Sequence, residues 1–159
     1  MRGLLESDDV QVSKAAFDSL MQMGTGLDAK YLRSLLASAR PQLAIAAADA
    51  LRRLDDHAGL SKLIELAKRP GKDRPVAVEA LGKFRARRAV PTLIDLLEDK
   101  DQNIRSRAQR GLQRILRGMF PYRALDLAAT GYRSGGGTAP RREAVAKIRS
   151  WWLLRGGKK

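Results

Sequence analysis

A spacing of 30 or 31 residues runs through this chain and limits what it can fold into. Ala108 is matched by Ala77, Ala47 and Ala16, Leu112 by Leu81, Leu51 and Leu20, and Ile115 by Phe84, Leu54 and Met23. Upstream, Leu96 is matched by Leu66, Leu35 and Leu4, so four columns hold one register through four units. Even the acids Glu6 and Asp9 fall under Glu98 and Asp101. A period of this length marks stacked supersecondary units, each unable to bury its apolar face alone.

The clearest unit spans residues 89–116. Leu93, Ile94, Leu96 and Leu97 form one apolar stripe at helical spacing, with Pro91 suited to a first helical turn. The run Asp99, Lys100, Asp101 interrupts the stripe, and Asp101 is placed to cap the next helix. Ile104, Ala108, Leu112 and Ile115 then step by four, four and three, which is one face of a second helix. Two facing stripes joined by a short acidic turn make an antiparallel hairpin. The small residue of each Ala-x-x-x-Leu step lets a neighbouring helix approach. Extended along the chain, the register predicts about five hairpins in one domain over residues 1–159. They fall at 1–24 (incomplete), 25–54, 55–84, 85–117 and 118–155, with a basic tail at 156–159.

The pattern Ala89-Val90-Pro91-x-Leu93-Ile94-x-Leu96-Leu97, followed by Asp101-x-x-Ile104-Arg105-x-x-Ala108-x-x-x-Leu112, resembles the HEAT-like repeats. It is most similar to the short bacterial variety first named for phycobilisome lyases, and the likeness covers roughly residues 4–116. The resemblance implies an all-α, right-handed α-solenoid used mostly as a binding surface, with second helices lining the concave face and enzymes in the minority. It also implies a structural arginine at Arg105, bonded to the acidic turn through Asp99 or Asp101. Activity does not follow from fold.

Composition removes several chemistries. There is no cysteine, so disulfides and thiolate catalysis are excluded, and one histidine, His57, gives no His-based metal site. No metal and no cofactor is expected. No apolar run approaches membrane-spanning length, and the start, MRGLLESDDVQV, lacks the apolar core of a secretory signal. A cytoplasmic location is therefore expected. The first unit has only the end of its first helix, which predicts either continuation of a longer chain, packing against a neighbour, or a frayed native start.

The net charge of +14 is not evenly spread. Residues 1–60 hold 7 basic and 8 acidic side chains, residues 61–101 hold 10 and 7, and residues 102–159 hold 14 and 2. The last third therefore sets up a polarised field that attracts phosphates or acidic proteins at low salt.

Candidate contact residues follow from the second helices. Arg110, Arg114 and Arg117 step by four and three opposite the apolar stripe. The Arg114 column reads Gln22, Arg53, Lys83, Arg114, a basic ridge. The column one turn earlier reads Asp18, Asp49, Glu79, Arg110, so Arg53 and Lys83 have acid-first partners at i−4. Only the fourth unit presents an unpaired basic stripe. Arg85, Arg87 and Arg88 lie in the turn before it, suited to the carbonyl end of the preceding helix or to a partner. Lys68, Arg69 and Lys72 crowd a Pro/Gly turn that either grips a phosphate or is simply solvated. In the third unit Asp73 replaces the apolar residue of the other units, so that second helix is expected to start late.

Beyond Leu116 the register continues more loosely. Residues 121–130 are expected as a fifth first helix, the glycine-rich residues 131–138 as a flexible loop, and residues 139–153 as a final helix. That helix carries Arg141, Arg142 and Arg149. The glycine loop lacks the Gly-Lys-Ser/Thr of a phosphate loop. Trp151 is expected to plug the core, with Trp152 partly exposed, either covering the last seam or anchoring a contact.

These features predict a non-catalytic binding or scaffold protein with an acidic protein partner. The alternative is nucleic-acid binding through the basic last third, weakened by few aromatics for stacking. A lyase-type or base-excision enzyme rests on family analogy alone.

Overall fold

The computed structural model describes residues 7, 12, 15–19, 28–121 and 125–156, and every regular element among them is helical. The all-α expectation holds. The chain falls into two compact units, residues 1–65 and 66–159. The readings made on Leu4, Glu6, Asp9, Leu20, Gln22 and Met23, and on residues 157–159 of the tail, lie outside the described residues.

In the first unit, α1 (Ala29–Leu35) starts at Asp28, whose carboxylate accepts the Tyr31 N–H at 2.7 Å. That satisfies one of the free donors at a helix start. Helix α2 (Pro41–Arg53) opens on a proline, whose missing N–H costs nothing in a first turn. Its Leu43, Ala47, Ala50 and Leu51 join Ala16, Phe17 and Leu32 in the core. The helix stops where Asp55 turns left-handed, with φ 58°. The Asp56 N–H then reaches back to Leu51 O at 2.9 Å and the Asp55 N–H to Arg52 O at 3.1 Å. This is the bonding of a glycine stop, made here by aspartate. Asp56 accepts from the Ala58 N–H at 2.8 Å and from Arg33 Nε at 2.8 Å, which together hold its carboxyl below the usual carboxylate range.

The division between units falls inside α3 (Leu60–Lys68). The second unit then holds α4 (Arg74–Lys83), α5 (Val90–Leu96), α6 (Gln102–Met119) and α7 (Thr138–Trp151). Asp101 caps α6 through the Asn103 N–H at 2.8 Å, whereas Asp73 makes no such bond and α4 begins late, as expected. Helix α6 packs on α4 and α5, and α7 on α5. The alanine column is buried, with Ala47, Ala77 and Ala108 fully enclosed. A close backbone approach lies elsewhere, between Gly82 of α4 and Gly111 of α6: a Cβ on Gly82 would sit 2.5 Å from Gly111 Cα.

Two arginines 31 residues apart staple the turns. Arg74 Nε donates to Ala67 O, at the end of α3, at 2.8 Å, and its guanidinium also pairs with the Asp99 carboxylate in the next turn. Arg105 donates to Asp99 O and Lys100 O at 2.8 and 2.9 Å, and to Ser134 O in the turn after that at 2.6 Å. Each arginine thus closes its own turn and holds the following one. Arg105 is structural as expected, but its acceptors are the turn's carbonyls rather than its carboxylates.

The C-terminal region departs from expectation in three places. The described part of residues 121–130 contains a 3-10 turn, Ala128–Thr130, instead of a fifth first helix. The Asp126 carboxylate accepts the Ala128 N–H at 3.0 Å, and the Thr130 hydroxyl donates back to Leu127 O at 2.6 Å. These local bonds close the chain before a helix can propagate, and Gly131 at φ 84° ends the turn. The following loop is tied down rather than loose: besides the Arg105 bond, the Ser106 hydroxyl meets the Ser134 hydroxyl at 3.1 Å. The two tryptophans are exchanged. Trp152 is buried and Trp151 half-buried, set edge-on against Phe120 at 5.4 Å. Trp152 lies four residues after Ile148 and its N–H bonds to Ile148 O as in an ordinary α-helix, so it shares the core face of Ile148, and the wider π-helical turn over Trp152–Gly156 only follows it.

Tyr132 anchors this region by donating its hydroxyl to Leu97 O at 2.9 Å, and burial pushes its pKa up to about 12. The folded state therefore holds the phenol proton more tightly than the unfolded chain, whose tyrosine titrates near 10. Below pH 10 the stabilisation is intact; between about pH 10 and 12 it is lost as the unfolded state ionises first. The difference in unfolding free energy between the native protein and Tyr132→Phe is expected to change by about 2–3 kcal/mol across that window. Parallel pH profiles for the two proteins in urea titrations would contradict it.

Candidate functional site

Helix α6 buries Ile104, Ala108, Leu112 and Ile115 on one side and leaves Arg110, Arg114 and Arg117 exposed on the other. Its hydrophobic stripe thus decides where the arginines point. Arg85 joins them from the end of α4. It occupies a left-handed backbone conformation, φ 49°, directly after the C-cap Phe84. The Gly82–Gly111 contact holds that end of α4 against the middle of α6, one residue beyond Arg110. The result is an open groove of about 440 Å³ lined by Arg85, Arg110, Gln113, Arg114, Arg117 and Gly118.

Four guanidinium groups share this groove, and its lining contains no carboxylate. Among the described residues, no ion pair or hydrogen bond engages these four side chains. Such a concentration of like charge in the native state invites an anion. Arginine's planar fork favours two-point contact with carboxylate or phosphate oxygens.

The remaining basic candidates are spread elsewhere. Arg53 pairs with Asp49 at 3.2 Å, and Arg52 binds the same carboxylate at 2.9 Å. Lys83 lies 3.7 Å from Glu79, which Arg107 also engages. Arg149 binds Asp95 at 2.9 Å and approaches Glu98 at 3.8 Å. The Arg87 guanidinium sits 5.7 Å from the centre of the buried Trp152 ring. Trp152 is therefore a core residue with a cation on its face, and as a contact anchor it is withdrawn. Arg141 donates to Gly136 O at 2.7 Å. Arg88, Lys68, Arg69, Lys72 and Arg142 are exposed and do not line the groove.

Sequence reasoning missed Gln113 and Gly118 as groove residues. Gln113 lies three residues from Arg110 and four from Arg117, so helical spacing alone places it on their face. A search restricted to charges passes over it.

Among the described residues no group of acids and histidines is arranged to hold a metal ion, and no helix is long and apolar enough to cross a membrane. Residues 60–148, from the start of α3 to near the end of α7, match a family model described as HEAT repeats. No curated protein matches the chain.

Proposed function

Because the chain belongs to the HEAT-repeat family, whose repeats commonly mediate protein–protein interaction, we propose that it is a non-catalytic binding module whose arginine groove receives an acidic segment of a partner protein. The observation that carries this reading is the groove itself, with four guanidiniums and no acid among its lining residues. Complementary charge of this kind speeds encounter and fixes orientation more than it adds raw affinity.

The test is binding of a glutamate-rich peptide and of random-sequence duplex DNA across a salt series. The native protein is compared with a triple variant carrying Arg110→Gln, Arg114→Gln and Arg117→Gln. These side chains are exposed, so the helical circular dichroism should not change. At about 0.7 kcal/mol per surface charge pair, three lost contacts predict a loss of peptide affinity of about 30-fold. Equal affinity for the two proteins would remove the groove from the reading. The competing outcome is nucleic-acid binding, which the 14 basic and 2 acidic residues at 102–159 favour. It would show as DNA binding at about 0.15 M salt with a steep log-log slope.

A further inference from the structure

The geometry points to a phosphorylated side chain of the partner, rather than a run of carboxylates, as the group seated in the arginine groove. This step rests on the acidic-partner reading above and names its anion.

The first support is the pairing of cations next to the groove. Several other cations of the second unit are already paired. Glu79 holds Lys83 and Arg107, and Asp95 with Glu98 holds Arg149. A long polyanion laid along α4 and α6 would meet the Glu79 carboxylate. A compact anion meets only Arg85, Arg110, Arg114 and Arg117, in a space of about 440 Å³.

The second support is the amount of charge. A carboxylate carries one negative charge, whereas a phosphomonoester carries about 1.5 to 2 at neutral pH and offers three strong acceptor oxygens. Four guanidiniums around one small space are matched better by the second group. The third support is the donor set. All four cations are arginines, whose forked donors make two-point contact with phosphate, and Gln113 adds a neutral amide donor. On the exposed side Gly118 leaves room, since a Cβ there would meet nothing within 4 Å.

The experiment uses the full chain with terminally blocked phosphoserine, terminally blocked glutamate and inorganic phosphate as probes. The Nε–H signals of Arg85, Arg110, Arg114 and Arg117 are followed by nitrogen-15 NMR. Phosphoserine is expected to bind at least about 5-fold more tightly than glutamate at pH 7.5. Its affinity should rise several-fold between about pH 5 and 7.5 with a midpoint near 6, because the phosphate's second proton titrates there while arginine does not. Inorganic phosphate that reproduces the pH step would support recognition of the phosphate group itself. Equal affinity for phosphoserine and glutamate, with no step near pH 6, would overturn the phosphate inference and leave the acidic-partner reading standing. Silence from every probe, together with no binding of the glutamate-rich peptide, would sink both. Phosphoserine binding unchanged in the triple glutamine variant would place the anion elsewhere and overturn the inference.

Discussion

Gly82→Ala is expected to destabilise the protein by about 2 kcal/mol, although the same exchange on an exposed helix stabilises by up to about 1 kcal/mol. The sign reverses because of what the new methyl would meet. It would lie 2.5 Å from Gly111 Cα, a backbone atom that no rotamer change can move aside. Carbon atoms settle at about 3.5–4.0 Å, so α4 and α6 would have to separate along their shared core. Gly111→Ala meets Gly82 Cα at 2.9 Å and should cost somewhat less. Gly118→Ala is the control: it lies in the same α6 with nothing within 4 Å, and should be neutral or slightly stabilising. Urea unfolding followed by tryptophan fluorescence reads the right region, because Trp151 and Trp152 both belong to the second unit. A Gly82→Ala midpoint at or above that of the native protein would show that the helices do not touch there. The same variant should loosen the groove, since this contact fixes where Arg85 stands relative to Arg110.

The helices were legible because their signals are local and repeated. Pro41 and Pro91 open helices, Asp28 and Asp101 cap them, and the Ile104, Ala108, Leu112, Ile115 stripe is buried at every position. The Gly82–Gly111 contact was hidden because the two residues occupy different columns of the repeat. A column search compares equivalent positions, whereas helix packing joins non-equivalent ones. The C-terminal region was misread for a related reason. Pro121 keeps the period, but Asp126 and Thr130 bond to their own backbone and close a short turn. Of the two helical steps from Ile148, three to Trp151 and four to Trp152, the second leads into the core.

The groove was partly legible. Arg110, Arg114 and Arg117 share a face by spacing alone, and the acid-first pairs Asp49–Arg53 and Glu79–Lys83 follow from the i,i+4 rule. Arg85 could be singled out by its charge but not placed, because its direction depends on a left-handed backbone that is rare outside glycine. Tertiary pairing explains the rest. Arg149 looked free on its own helix and is taken by Asp95 and Glu98, about 50 residues earlier in the chain.

The other large effect is expected at Arg105, which is only 7% exposed. Its three bonds go to carbonyls in two successive turns, those of Asp99 and Lys100 and that of Ser134. Arg105→Ala removes a charged donor from all three and leaves partly buried acceptors without it. At about 1 kcal/mol or more for each, the expected loss is about 3 kcal/mol. Arg105→Lys keeps the charge but replaces the fork with a single ammonium, which cannot span two turns at once, so it should recover at most about 1 kcal/mol. Because the acceptors are neutral carbonyls, the loss should be nearly the same in low and high salt, unlike that of an exposed ion pair. Arg114→Ala on the same helix, exposed and outside any ion pair among the described residues, should change stability by no more than about 0.5 kcal/mol. A lysine variant as stable as the native protein, or a loss that disappears in high salt, would mean that Arg105 acts through its charge and not through its geometry. In that case the arginine staple, repeated at Arg74, would not be what holds consecutive turns together.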